Sequence, residues 1–148
     1  MLQYAKSRRK NANFASDVYD CKAWQRRMEL VKAWPDDDCI MLLICIDAIA
    51  AFKNGGMSLM PAEFMILNLP PQFRSKPDYM FLSLLIPAHL KATAQKRYFD
   101  YLVDTELNPL ATTGFIHPRG RARVLVFSST LDLPGRDKFF RLRGNDDR

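Results

Sequence analysis

The run Ile40-Met-Leu-Leu-Ile-Cys-Ile46 is almost wholly apolar and ends on a carboxylate, Asp47. A run this short with no polar face predicts a β-strand covered on both sides, hence a central strand. Even extended to Phe52 it is too short to cross a bilayer, which takes about 20 residues. A second run of the same kind, Arg123-Val-Leu-Val-Phe-Ser-Ser-Thr-Leu, ends on a second acid, Asp132. A carboxylate beside a buried strand is costly unless something pairs with it, and a metal ion is one such partner.

Between the two aspartates lie two further strands and one amphipathic helix. Met57 to Leu69 is apolar with Pro61 and Glu63 inside it, and the proline places that strand at an edge or a bulge. Tyr79 to Ile86 is a strand ended by Pro87. From Lys91 to Leu110 the period changes: Phe99, Leu102, Val103, Leu107 and Leu110 share one helical face. Tyr98, Phe99 and Tyr101 read as core packing in preference to base stacking. Thr112-Thr-Gly114 ends this helix. Ahead of the first strand, Val18, Cys21, Trp24, Met28 and Val31 recur at helical spacing, with Ser16 or Asp17 as cap. Lys53-Asn-Gly-Gly56 is a turn, Arg74 to Asp78 a polar loop, and Asp36-Asp37-Asp38 a solvated turn.

The expected class is therefore α/β, a β-β-β-α-β core preceded by an N-terminal helix. Three segments follow: a basic lead-in and helix over 1–38, a core over 39–135, and a polar basic tail over 136–148. A right-handed crossover helix would lay the fourth strand parallel to the first and beside it, so that Asp47 and Asp132 meet. Two adjacent carboxylates are comfortable around a cation, and oxygen ligands select Mg²⁺ or Mn²⁺ over zinc. Two such ions clamp the attacking and leaving oxygens of a phosphodiester, which is ribonuclease H-like chemistry. The plainer alternative makes each aspartate a turn or capping residue.

Composition narrows the partners. Lys and Arg number 22 against 16 acids, a net charge of +6. The excess sits at the two ends, from Lys6 to Lys32 and from Arg119 to Arg143, either as solvated faces or as phosphate contacts for DNA. The 3 cysteines, Cys21, Cys39 and Cys45, lack CxxC spacing, which argues against a zinc site or a disulfide framework. His89 and His117 have no nearby cysteine pair. No apolar leader or membrane span is visible, so the expectation is an intracellular protein of nucleus or cytoplasm, with no membrane or small-molecule partner.

Several word-like stretches carry more. Asp17-Val-Tyr-Asp-Cys-Lys-Ala-Trp24, Ile44-Cys-Ile-Asp-Ala-Ile-Ala-Ala-Phe52, Gly56-Met-Ser-Leu59, Asn68-Leu-Pro-Pro71 and Tyr79-Met-Phe-Leu-Ser-Leu-Leu-Ile-Pro87 follow one another in order. Together they resemble the catalytic region of CACTA (En/Spm) transposases, from about residue 16 to Pro87. The likeness is looser through Tyr98 to Val103 and around Asp132. It implies an RNase H-like transposase core that cuts DNA with an acidic triad and Mg²⁺ or Mn²⁺. Asp47 matches the first catalytic, metal-binding acid and Asp132 the second. It also implies DNA, and a full-length transposase, as partners.

The chain departs from the family pattern at several places. Cys21 and Ala48 stand where the family has glycine, Ala51 where it has proline, and Leu131 where asparagine precedes the second acid. The family's third acid lies on a later helix, and only 16 residues follow Asp132. Asp146 and Asp147 lie too near the end to replace it. The expectation is a truncated core, inactive alone, or a binding module that inhibits the full-length enzyme.

Overall fold

The computed structural model describes Tyr4, residues 17–50 and residues 58–130. Asp132, the Lys53–Gly56 turn, Pro134-Gly135 and the basic tail lie outside the described residues.

The central strand forms as expected. β1 (Asp38–Ile46) feeds two cores at once. Ile40, Leu42, Ile44 and Ile46 pack with Phe99 and Leu102 on one face. Cys39, Met41 and Leu43 pack with Tyr19, Trp24 and Val31 on the other. Alternate side chains of a strand point to opposite faces, so only an apolar run can satisfy both layers.

The remaining strands are β2 (Ile49–Ala50), β3 (Ser58–Ile66), β4 (Met80–Pro87), β5 (Phe115–His117) and β6 (Gly120–Thr130). β3 lies antiparallel to β1, and β4 antiparallel to β3. β6 lies parallel to β1 on its other side, and the short β5 folds back on β6. Across the sheet the order is β4, β3, β1, β6, β5, a mixed sheet with helices on both faces. The hairpin that begins with β5 carries no turn dipeptide of the usual kind, and its three-residue strand escapes pattern reading.

β2 continues the β1 ladder. Ile46 faces Ala62 and Ile49 faces Leu59, the same register three residues on. Pairing lapses at Asp47 and Ala48, where the count sets Asp47 opposite Pro61. A proline has no N–H to give a neighbouring strand. Pro61 also stands beside a bulge, since Ala62 faces Leu84 but Glu63 faces Leu82, leaving Ser83 unopposed. The expected bulge is present. Of the two places expected, an edge or a bulge, it is the bulge that the structure shows, since β3 has strands on both sides.

α1 (Lys22–Val31) opens twice. Asp17 caps a 3-10 turn, Val18–Asp20, and the Cys21 sulfur then accepts from the Trp24 N–H at 3.3 Å. α2 (Pro71–Arg74) is a single turn. α3 (Ala92–Tyr101) runs through a π-helical stretch, Leu102–Leu107, into α4 (Asn108–Thr112). Gly114 ends it at φ 71°, and a Cβ there would lie 2.3 Å from the Ala122 carbonyl oxygen. Of the three aromatic residues read as core, only Phe99 is buried. Tyr98 and Tyr101 are exposed, because they sit on the helix face away from the sheet. No helix among the described residues is long and apolar enough to cross a membrane.

Candidate functional site

Asp47 follows directly on the buried end of β1 and is itself exposed. One oxygen, Oδ1, accepts the N–H of Ala48 at 2.8 Å. No lysine or arginine among the described residues forms an ion pair with it. The lapse in the ladder thus presents a hard oxygen donor at the end of the central strand, without an ion pair to any lysine or arginine among the described residues. Such a group suits Mg²⁺ or Mn²⁺ chemically, but one carboxylate makes only part of a site.

The neighbouring strand ends beside it. The last pair in the β1–β6 register is Cys45 with Thr130. Asp47 stands two residues beyond Cys45, and in the sequence Asp132 stands two beyond Thr130. The carboxylate of Asp132 lies outside the described residues, so the pair is described from one side only. Among the described residues no three His, Cys, Asp or Glu side chains gather where a metal ion could be held.

A cleft of ≈ 620 Å³ opens on the far side of β6. Val124 and Val126 of β6, Val103, Leu107 and Ala111 of the helical segment, and Arg27 of α1 are among the residues that line it. Arg27 reaches the Val126 carbonyl oxygen, with Nη2 at 3.5 Å.

At the opposite end of β1 lies a buried polar cluster that pattern reading missed. Met41 and Asp47 are six residues apart, about 20 Å along a strand. Arg74, read from sequence as part of a polar loop, is buried and grips Asp17 with both terminal nitrogens, at 2.6 and 3.0 Å. Its Nε donates to the Leu69 carbonyl at 2.7 Å, and its guanidinium lies over the Tyr19 ring. Tyr4 donates its hydroxyl to the same aspartate. Tyr19 donates to the Leu67 carbonyl at 3.1 Å, and burial pushes its phenol up to about 12. Asn68 stands in for a strand residue: its Oδ1 accepts from the Met41 N–H at 2.7 Å and its Nδ2 donates to the Cys39 carbonyl at 3.1 Å. Among the described residues these contacts pair the cluster's groups with one another. The cluster is structural.

The charged clusters divide in the same way. Lys22 and Arg26 are exposed on α1, one turn apart. Arg119 and Arg121 are exposed near the β5–β6 turn. Arg123 is committed: it holds Asp37 at 2.5 Å, bonds the Thr112 carbonyl and stacks on Trp34. The expected solvated turn therefore has one internal partner at Asp37. Asp38 opens β1, and its carboxylate is 3.4 Å from His117 Nε2. The remaining end charges, Lys6 to Lys10 and Arg136 to Arg143, lie outside the described residues. Cys39 is a half-buried thiol pushed up to about 11 by desolvation, so it is a poor metal ligand near neutrality.

Comparison of the chain with protein-family models, with curated proteins and with solved structures returns no match.

Proposed function

We infer that the chain is part of an RNase H-like transposase core, with Asp47 and Asp132 as two carboxylates of a divalent-metal site that acts on DNA. One observation carries the reading: β1 and β6 run parallel and adjacent, with Cys45 opposite Thr130, each two residues short of an aspartate. The β4–β3–β1–β6 order, antiparallel for the first three strands and parallel for the last, supports it. The sequence likeness to CACTA (En/Spm) transposases supplies the substrate class. In that chemistry Mg²⁺ or Mn²⁺ would activate a nucleophile and steady the leaving oxygen of a phosphodiester. Asp47 would contribute an oxygen ligand from a fixed point on the sheet. With no third acid beside it among the described residues, the chain by itself is proposed not to cleave.

The test is a Mn²⁺ titration of the folded chain followed by NMR. Paramagnetic broadening centred on Ala48 and Thr130, and lost in Asp47→Ala and Asp132→Ala, supports the reading. Broadening elsewhere, or broadening indifferent to both substitutions, removes it. Incubation with a transposon-end duplex and Mg²⁺ or Mn²⁺ should give no cuts. Cuts that vanish in Asp47→Ala would refute the inactivity while keeping the site.

The exposed pair Lys22 and Arg26 on α1 favours a second reading, a non-catalytic module bound to DNA phosphates. Its affinity for duplex DNA would fall steeply as salt rises. A salt-insensitive affinity, or none, would dismiss it. A pull-down with full-length transposase tests the related reading in which the module docks on that enzyme.

A further inference from the structure

His117 closes β5 and has a partner on each ring nitrogen. The Arg119 N–H donates to Nδ1 at 3.3 Å, within the two-residue turn Pro118-Arg119 that leads into β6. Nε2 lies 3.4 Å from the carboxylate of Asp38, the first residue of β1. β6 stands between β5 and β1 in the sheet, so one ring ties the hairpin tip to a strand beyond its neighbour. The two contacts make opposite demands on the ring. A nitrogen that accepts an N–H must keep its lone pair, so the Arg119 bond needs Nδ1 bare and leaves the ring hydrogen on Nε2, facing Asp38. An added proton goes to Nδ1. The ring then has a donor on both nitrogens, and the new N–H confronts that of Arg119. The contact with Asp38 meanwhile becomes an ion pair.

We propose that His117 is a proton-operated latch of the β5–β6 turn. Neutral, it holds the Arg119 N–H and donates to Asp38. Protonated, it releases Arg119 and keeps Asp38. The surroundings suit such a device. The His117 side chain is 22% exposed and that of Asp38 45%, so the pair exchanges protons with solvent. Phe115, on the same face of β5, flanks the ring at 6.2 Å between centroids. Asp36 and Asp37 precede Asp38, and Asp37 is engaged by Arg123 of β6. Arg119 and Arg121 of the hairpin are exposed, and α4 brings no charged residue. Among the described residues Asp38 is the acid within ion-pair distance of the ring. Gly120, opposite His117, has φ 132° and open space where a Cβ would lie, so the turn is free to adjust once Arg119 is released. Acid thus loosens the tip and adds a positive charge beside Arg119 and Arg121.

NMR of the full chain between about pH 8 and pH 5, the range in which histidine changes charge, tests this. At the alkaline end the ring nitrogen shifts should report a hydrogen on Nε2 and none on Nδ1. The opposite tautomer overturns the proposal. On acidification the Arg119 amide proton should move upfield with the midpoint of the ring itself. Its exchange protection should fall about two- to tenfold, the worth of one ordinary hydrogen bond. Nuclear Overhauser contacts between the ring and Asp38 should persist at the acid end. An Arg119 amide that ignores the ring's titration overturns the proposal, and so does a charged ring that leaves Asp38. His117→Gln supplies an acceptor that does not titrate, so its Arg119 amide should hold one position across the range. Movement in that variant equal to wild type assigns the effect to another group and overturns the latch.

Discussion

Asp17 and Arg74 meet through two hydrogen bonds, at 2.6 and 3.0 Å, across 57 residues of chain. The contact ties the segment before α1 to the turn after β3. The Asp17 side chain is 2% exposed and that of Arg74 11%. A pair so enclosed is held by its partners on every side, here Tyr4, Val18, Leu69 and the Tyr19 ring. This enclosed charge contact thus lies far from Asp47, at the other end of the central strand. Asp47 is exposed where Asp17 is enclosed, so of these two carboxylates only Asp47 faces solvent.

Arg74→Met should strand the Asp17 carboxylate in the interior. The expected loss is about 3–5 kcal/mol, because removing one partner leaves a buried charge uncompensated. The double variant Asp17→Leu/Arg74→Met should recover much of that loss. Urea midpoints of the two variants against wild type check both statements. A single variant within 1 kcal/mol of wild type, on the order of a surface ion pair, would contradict the burial argument.

Asn68→Ala removes both side-chain bonds to β1 at once. The Met41 N–H and the Cys39 carbonyl are then left without those partners, at a cost of about 1–3 kcal/mol for a buried group. Amide exchange at Met41 should quicken more than at Leu43, whose N–H β3 pairs on the same side. Uniform quickening along β1 would mean that Asn68 acts on global stability alone.

Gly114→Ala places a methyl 2.3 Å from the Ala122 carbonyl at a backbone φ of 71°. The left-handed conformation alone costs about 1–2 kcal/mol for a residue with a Cβ, and the clash adds to it. Thermal unfolding should show a drop of several degrees, roughly 2–4 °C per kcal/mol for a domain near 150 residues. An unchanged midpoint would place this helix end differently from the structure.

High pH should loosen the fold in two stages. Burial in the folded chain pushes the Cys39 thiol from its ordinary 9.0 up to about 11, and the Tyr19 phenol from 10.0 up to about 12. Both folded values are raised, so the unfolded chain loses its protons first. The stability each contributes is complete below its unfolded value and is lost as pH climbs from about 9 to 11 for Cys39 and about 10 to 12 for Tyr19. Tyr19→Phe should flatten the upper part of that decline, read as denaturation midpoint against pH. An identical profile in Tyr19→Phe would remove Tyr19 from the account.

Much of the sheet was legible because burial on two faces leaves a simple trace. Ile40 to Ile46 and Val124 to Phe127 could serve only as strands with a layer on either side. The parallel neighbour relation of β1 and β6 followed from one intervening helix. Arg74 was not legible, because a lone arginine between Phe73 and Ser75 reads as solvated until Asp17 is brought to it. Nor was Asn68 as a strand surrogate, since its partners are backbone atoms that carry no sequence signal. Pro61 announced a disturbance but not its place: a broken ladder within the sheet and a free edge both accommodate a missing N–H. Tyr98 and Tyr101 were misplaced because the three aromatics occupy neighbouring positions, and one helix face cannot take them all. Of the candidate site, the position of Asp47 was readable, and its lack of an ion pair among the described residues needed the fold.

The π-helical stretch Leu102–Leu107 decides which side chain enters the core at a single place. Continued α-helical winding from Phe99 and Leu102 would bring Glu106 onto the sheet-facing stripe. The wider turn hands that berth to Leu107, which packs on the β1 core with Leu110. Glu106 is carried to the margin, where its carboxylate receives the Ser83 hydroxyl at 2.6 Å. Ser83 is the unopposed residue of the β3–β4 ladder. The misfit in the helix and the misfit in the sheet therefore answer each other, and a deletion that regularised either one would maroon a charge or a hydroxyl.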